Sequence, residues 1–219
     1  MNYLPGWYPG VRSSQAEDLP VTEIEFEASS TSTAATITGP AEIIAGDLLV
    51  LFDITGNLSS LSPSAPAGFT TAVTTALSAK QYQVLSYKIA DGSEASASIT
   101  GMDPGFGASA KILLVFRPDA PITTAAHADP DQFTGNGNPA AQTVTASDGT
   151  PPLIVFGAYS SSGTINPRTM SPAKDGEVAN GTTRYIAWKI YNSSSANVSV
   201  DMDDEGDGNT LQSCYIEVA

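Results

Sequence analysis

Gly46-Asp-Leu-Leu-Val-Leu-Phe52 decides the fold: a short, unbroken apolar run closed off by turn residues. A helix would need a longer periodic pattern, so this run reads as a strand buried on both faces. It recurs in weaker form as Pro152-Leu-Ile-Val-Phe156. The surroundings recur with it. Gln142-Thr-Val-Thr145 matches Ala35-Thr-Ile-Thr38, and Leu153 to Tyr159 matches Leu49 to Thr55. Arg184 to Ile190 matches Val84 to Ile89, with Trp188-Lys-Ile over Tyr87-Lys-Ile. Ala196 to Val200 matches Ala95 to Ile99, and Gln212 to Val218 matches Ala110 to Phe116. Order and spacing are both kept, which reads as an internal duplication of about a hundred residues.

Each copy holds only a few short strands. One copy alone would leave an apolar sheet face uncovered, whereas two can cover each other. The expected fold is all-β: an antiparallel, jelly-roll-like β-sandwich built from two internal repeats. The first repeat spans about 34–117, a linker 118–140 and the second repeat about 141–219, all within a body of 21–219 that follows an extended arm of 1–20. The alternative is two tandem small sandwiches split near Ala140.

Local signals fill in the body. Val21-Thr-Glu-Ile-Glu-Phe-Glu27 brings Ile24 and Phe26 into phase between acids, as a half-exposed edge strand would. Residues 75–80 admit a short helix. Asp91-Gly92 marks a turn. Lys111-Ile-Leu-Leu-Val-Phe116 reads as another buried strand, ended by Arg117-Pro118. Prolines at 118, 121, 130 and 139 make 118–140 loop-like. In the last strand Cys214, Ile216 and Val218 alternate with Tyr215 and Glu217, so one face should be wet.

Composition excludes several functions. The 219 residues carry 9 Lys and Arg against 23 Asp and Glu, a net charge of −14. Nucleic-acid binding needs clustered cations and is not expected, and neither is adhesion to anionic lipid. No apolar run reaches membrane-spanning length. The start lacks a basic region followed by an apolar one, so a signal peptide is not expected and synthesis in a cytoplasm is. The single cysteine, Cys214, reads as a small apolar strand residue.

The order GDLLVLF, PAGFT, YQVLSYKIADGSEAS and AKILLVFRP, followed by a second T-V-T, PLIVF and W-K-I block, resembles a family of tailed-bacteriophage structural proteins. The matching residues are Gly46 to Val50, Pro66 to Thr70, Tyr87 to Ala90 with Gly92-Ser93-Glu94, and Phe116-Arg117. The resemblance covers roughly 34–219. The second half departs from it at Asn166-Pro-Arg-Thr-Met170, where a P-x-G-F-T element would stand. The resemblance implies a virion component made in the host cytoplasm, such as a capsid decoration, head-fibre or tail-associated protein, with other virion proteins as partners. It implies no enzymatic activity. Assembly as a homo-oligomer is expected from that context.

Catalytic signals are thin. His127 is the single histidine, with no cysteine or second histidine to complete a ligand set. No Gly-x-Ser-x-Gly elbow occurs. Asn57, Asn180, Asn192 and Asn197 head glycosylation sequons of the kind that chance supplies in a Ser/Thr-rich chain. The one dense acidic cluster is Asp201-Met-Asp-Asp-Glu-Gly-Asp-Gly-Asn209. Asp201, Asp203, Glu205, Asp207 and Asn209 are oxygen ligands of the type that wraps Ca²⁺, but the EF-hand pattern fails at Gln212, and an acidic hairpin loop is the plainer reading. No cofactor is expected. Trp188, Tyr185 and Tyr191 could stack on sugars, which keeps a phage adhesin or carbohydrate-binding module as the alternative function, with a host surface glycan as partner. Core packing is the plainer account of those rings. A depolymerase would need an acid/base constellation that the sequence does not offer.

The arm stands apart. Tyr3-Leu-Pro-Gly-Trp-Tyr-Pro-Gly10 sets three aromatics among prolines and glycines, outside both repeats. Disordered tails are poor in aromatics, whereas a Pro-stiffened arm loses little freedom on docking. Tyr3, Leu4, Pro5, Trp7, Tyr8 and Pro9 are therefore the expected docking residues, on a larger particle or a neighbouring copy.

Overall fold

The computed structural model describes residues 23–55, 65–78, 81–102, 109–135, 142–146, 152–160, 168–192, 196–202 and 209–219. The arm residues Tyr3 to Pro9 lie outside them. The described chain is all-β and antiparallel, with no helix among the described residues. In the first half the strands are β1 (Ile24–Ser32), β2 (Ile37–Thr38), β3 (Leu48–Thr55), β4 (Thr70–Ser78), β5 (Gln81–Ile89), β6 (Ser98–Ile99) and β7 (Ala110–Pro118). In the second they are β8 (Ala125–Gly135), β9 (Gln142–Ala146), β10 (Leu153–Ser160), β11 (Arg168–Ser171), β12 (Gly176–Ala179), β13 (Arg184–Tyr191), β14 (Ala196–Met202) and β15 (Asn209–Val218).

They form two five-stranded sheets, β1-β7-β3-β5-β4 and β12-β13-β10-β15-β8, beside a three-stranded sheet β11-β14-β9 and the pair β2-β6. Read from opposite edges, the two large sheets follow the same scheme, with β3 and β10 central. Their central registers also agree: Val50 stands opposite Leu114 as Ile154 stands opposite Ile216. The β5 and β13 registers differ by two residues, because Tyr87 faces Val50 whereas Trp188 faces Phe156. A two-residue slip keeps every side chain on its original face.

The central strands are buried on both faces because each face meets a different core. Alternation sends Leu48, Val50, Phe52 and Ile54 to one side, where they share a core with Ile154, Phe156 and Ala158 of the other large sheet. Leu49 and Leu51 point the other way, to a core with Ile37, Ile43 and Ile99 beneath β2-β6. Leu153, Val155 and Tyr159 likewise reach a core with Val144 and Met170 beneath β9 and β11. The shared core carries an aromatic cluster. The Phe116 ring meets Phe156 at 5.6 Å and Trp188 at 5.5 Å, both edge-on, and Phe26 stacks on Trp188 at 4.6 Å.

Polar links cross between the large sheets at one end of this core. Gln212 Nε2 donates to the Gln83 carbonyl at 3.0 Å and to Thr75 Oγ1 at 2.7 Å. Gln83 Nε2 donates to the Ala158 carbonyl at 3.2 Å, and Thr75 Oγ1 donates to Gln132. Asn180 Nδ2 bonds the carbonyls of Ser32 (2.8 Å) and Lys111 (3.1 Å). At the other end Asn192 Oδ1 accepts the Ile24 N–H at 3.0 Å. Two of the sequon asparagines thus tie the second half to β1.

Three sequence expectations fail. Residues 118–140 are not all loop, because β8 pairs along β15 as an edge strand. Pro130 fits because the ladder shifts at that point, and a bulge on an edge removes the need for its missing N–H. Residues 75–78 continue strand β4 rather than starting a helix. The Tyr215 face of β15 is wet only at its end: Tyr215 is buried in the core beneath β9 and β11, while Glu217 is half-buried.

Candidate functional site

The residues that could have carried chemistry are mostly used for packing. Cys214 is fully buried in the shared core. Trp188 and Tyr185 are buried on opposite faces of β13, so neither ring is open to a sugar. Tyr191 is half-buried beside Lys189, and burial raises its hydroxyl pKa. His127 lies on β8, opposite Ile216, rather than in a loop. Its Nδ1 is 3.2 Å from the Tyr87 hydroxyl, whose pKa is raised by burial. Among the described residues no three His, Cys, Asp or Glu side chains gather into a metal-ligand group. Asp203, Glu205 and Asp207 lie outside the described residues. Asp201 belongs to β14, opposite Thr169, and Asn209 begins β15, opposite Gly135. The two ends of the acidic run are therefore strand residues.

The stretches that carry the phage resemblance do converge. Asp47, at the start of the central strand, and Arg117, at the end of β7, form a two-pronged pair. Arg117 Nε reaches Asp47 Oδ1 and Nη2 reaches Oδ2, each at 3.1 Å. Arg117 also contacts Glu27 at 2.8 Å and donates to the Glu42 carbonyl at 2.6 Å. Asp47, which is almost wholly buried, accepts the Ile44 N–H at 2.9 Å. The bond to Asp47 and the nearby carboxylates hold the Arg117 pKa above its ordinary value. Planar bidentate pairing of this sort fixes geometry as well as charge.

Next to this pair, Ala90 N donates to the Asp47 carbonyl at 2.8 Å and Gly46 N to the Ala90 carbonyl at 2.9 Å. Lys88 pairs with the buried Glu94, which raises the Lys88 pKa. Ser93 N donates to Asp91 Oδ1 at 2.8 Å, and Ser93 holds that carboxyl below the usual range. Gly46 and Gly92 have φ of +93° and +89°, which only glycine adopts at little cost. Gly39 lets the backbone close: a Cβ there would lie 2.1 Å from the Glu94 carbonyl oxygen. Gly68, from the Pro66-Ala-Gly-Phe-Thr70 stretch, lies against Lys88.

All of this occupies one end of the body, where the described chain begins. Asp119 N donates to the Glu23 carbonyl at 3.0 Å, and Ala219 pairs with Thr123 and Thr124 close by. A cleft of about 470 Å³ opens here between Glu23, Ile24, Glu25, Arg117, Pro118, Asp119 and Asn192. A second, of about 300 Å³, shares Arg117, Pro118 and Asp119 and is walled by Pro121 and the exposed Ile44. Sequence reasoning found the motifs but not this arrangement, since Asp47 and Arg117 are 70 residues apart. The signal available was one Asp and one Arg at the two ends of apolar runs. Comparison with family models, curated proteins and solved structures returns no match.

Proposed function

We propose that this chain is a non-enzymatic structural protein of a tailed-bacteriophage virion, a capsid decoration or head- or tail-associated protein made in the host cytoplasm. In this reading it docks through its N-terminal arm and displays a jelly-roll-like β-sandwich built from two repeats. The matching strand schemes and the shared central register support the duplication. The observation that carries the docking reading is the convergence of the resemblance motifs at the end where the described chain begins, next to Glu23. A rigidly braced root transmits load from a bound arm to the whole body. The connections after Thr55, Gly135 and Ser160 leave from the opposite end of the sheets, which would then face away from the particle. Burial of Trp188 and Tyr185 speaks against the glycan-binding alternative.

Deleting residues 1–12 tests the reading. Loss of a buried interface Trp typically costs about 2 kcal/mol, roughly thirtyfold in affinity per subunit. The truncated protein should keep its circular-dichroism spectrum and melting temperature yet fail to incorporate into particles. Incorporation at normal copy number would show that the arm is not the anchor.

A further inference from the structure

A charged pair is sealed inside the first large sheet. Lys111 on β7 stands directly opposite Asp53 on β3, and its Nζ lies 2.8 Å from Asp53 Oδ1. Lys111 is fully buried and Asp53 is 5 % exposed. By strand alternation they point to the face of Leu113 and Leu51, under β2-β6. Asn180 from the second half bonds the Lys111 and Ser32 carbonyls and closes the adjoining backbone.

The fold does not need charge at this place. At the equivalent register of the second sheet Gly157 stands opposite Ser213, both uncharged. A buried ion pair contributes little to stability over an apolar replacement, because desolvation offsets the attraction. What burial does supply is the exclusion of water, so that nothing from solvent competes with the approach of the two groups. A neutral lysine amine in an apolar pocket is a nucleophile. The 2.8 Å contact brings the carboxyl carbon to roughly the near-attack separation of ~3–3.5 Å.

We propose that Lys111 and Asp53 condense into an intramolecular isopeptide bond. The ammonium first passes one proton to the carboxylate. The Nζ lone pair then attacks Cγ, the C–O bond to one carboxyl oxygen breaks, and that oxygen leaves as water with the acid proton and a second proton from nitrogen. No electrons change hands and no co-reactant is consumed. The product is a neutral amide that removes two buried charges and staples β3 to β7 across the centre of the sheet. The inference is independent of the docking reading.

The test is mass spectrometry of the full-length protein under denaturing conditions, followed by digestion. The expected result is a chain one water lighter than its sequence, no tryptic cleavage after Lys111, and a branched peptide joining the segments that contain residues 53 and 111. Lys111→Arg, whose guanidinium is not a nucleophile here, should restore the sequence mass. Separate linear peptides with unmodified Asp53 and Lys111 in the wild type would overturn the proposal. So would a water loss mapped elsewhere, for instance to a cyclised Asp91-Gly92 or Asp175-Gly176, or one that survives in Lys111→Arg.

Discussion

Replacing Phe116 by alanine tests whether the two large sheets fold as one unit. Phe116 is fully buried, pairs across the ladder with Phe26 and Leu48, and touches rings on both sheets: Phe26 on its own, Phe156 and Trp188 on the other. Truncating a core Phe costs about 3–5 kcal/mol, because both transfer energy and a cavity are lost. Each aromatic pair contributes ~0.5–1.5 kcal/mol, so the three contacts put this site in the upper part of that range. For a chain of this size one kcal/mol moves the melting temperature by roughly 2–4 °C, which gives an expected fall of about 8–20 °C. The assay is differential scanning calorimetry of wild type and variant, read for the number of transitions as well as their position. One transition should move as a whole. Two transitions with only one displaced, or a loss below ~1 kcal/mol, would mean that the halves melt independently and that the shared core is not cooperative.

Two further outcomes follow from the end where the described chain begins. Gly39→Ala forces a Cβ against the Glu94 carbonyl, and should cost about 1–3 kcal/mol in urea unfolding; an unchanged midpoint would show that the turn simply moves aside. Lys88 and Tyr87 both have folded pKa values above their unfolded ones, through the Glu94 bond and through burial respectively. Their protonated forms are therefore favoured in the folded state. The stability they supply is complete below about pH 10 and is lost as pH rises beyond it. Tyr87→Phe should flatten that alkaline decline in a pH series of thermal melts, and an identical slope would remove Tyr87 as a cause.

The parts of the fold that read directly from sequence are those where one stretch suffices. Leu48 to Phe52 is apolar at every position because both of its faces are covered, and no helix pattern competes. β8 was illegible for the opposite reason: Ala125 to Gly135 is an edge strand, polar and interrupted by Pro130, whose pairing depends on β15. The wet face assigned to Tyr215 failed because its cover, β9 and β11, comes from elsewhere in the chain. Lys111 sat in a run correctly read as buried, but only the register with β3 reveals its partner. The Asp47–Arg117 brace is likewise a long-range fact, invisible until both strand ends meet.

The asparagine ties to β1 also set an order of events during synthesis. β1 is the first of the described strands to leave the ribosome, yet the side chains that hold its two ends, Asn180 at Ser32 and Asn192 at Ile24, are separated from it by 148 and 168 residues. The sheet partner β7 is available much earlier. For most of translation, then, β1 can pair on one side while its flank toward the second half stays unlatched. The two ends of β1 acquire their final bonds only when β12 and β13 have been made and docked. A chain truncated before Asn180 would hold β1 through β7 alone, so the two ends of this strand are fixed only once the second half is in place.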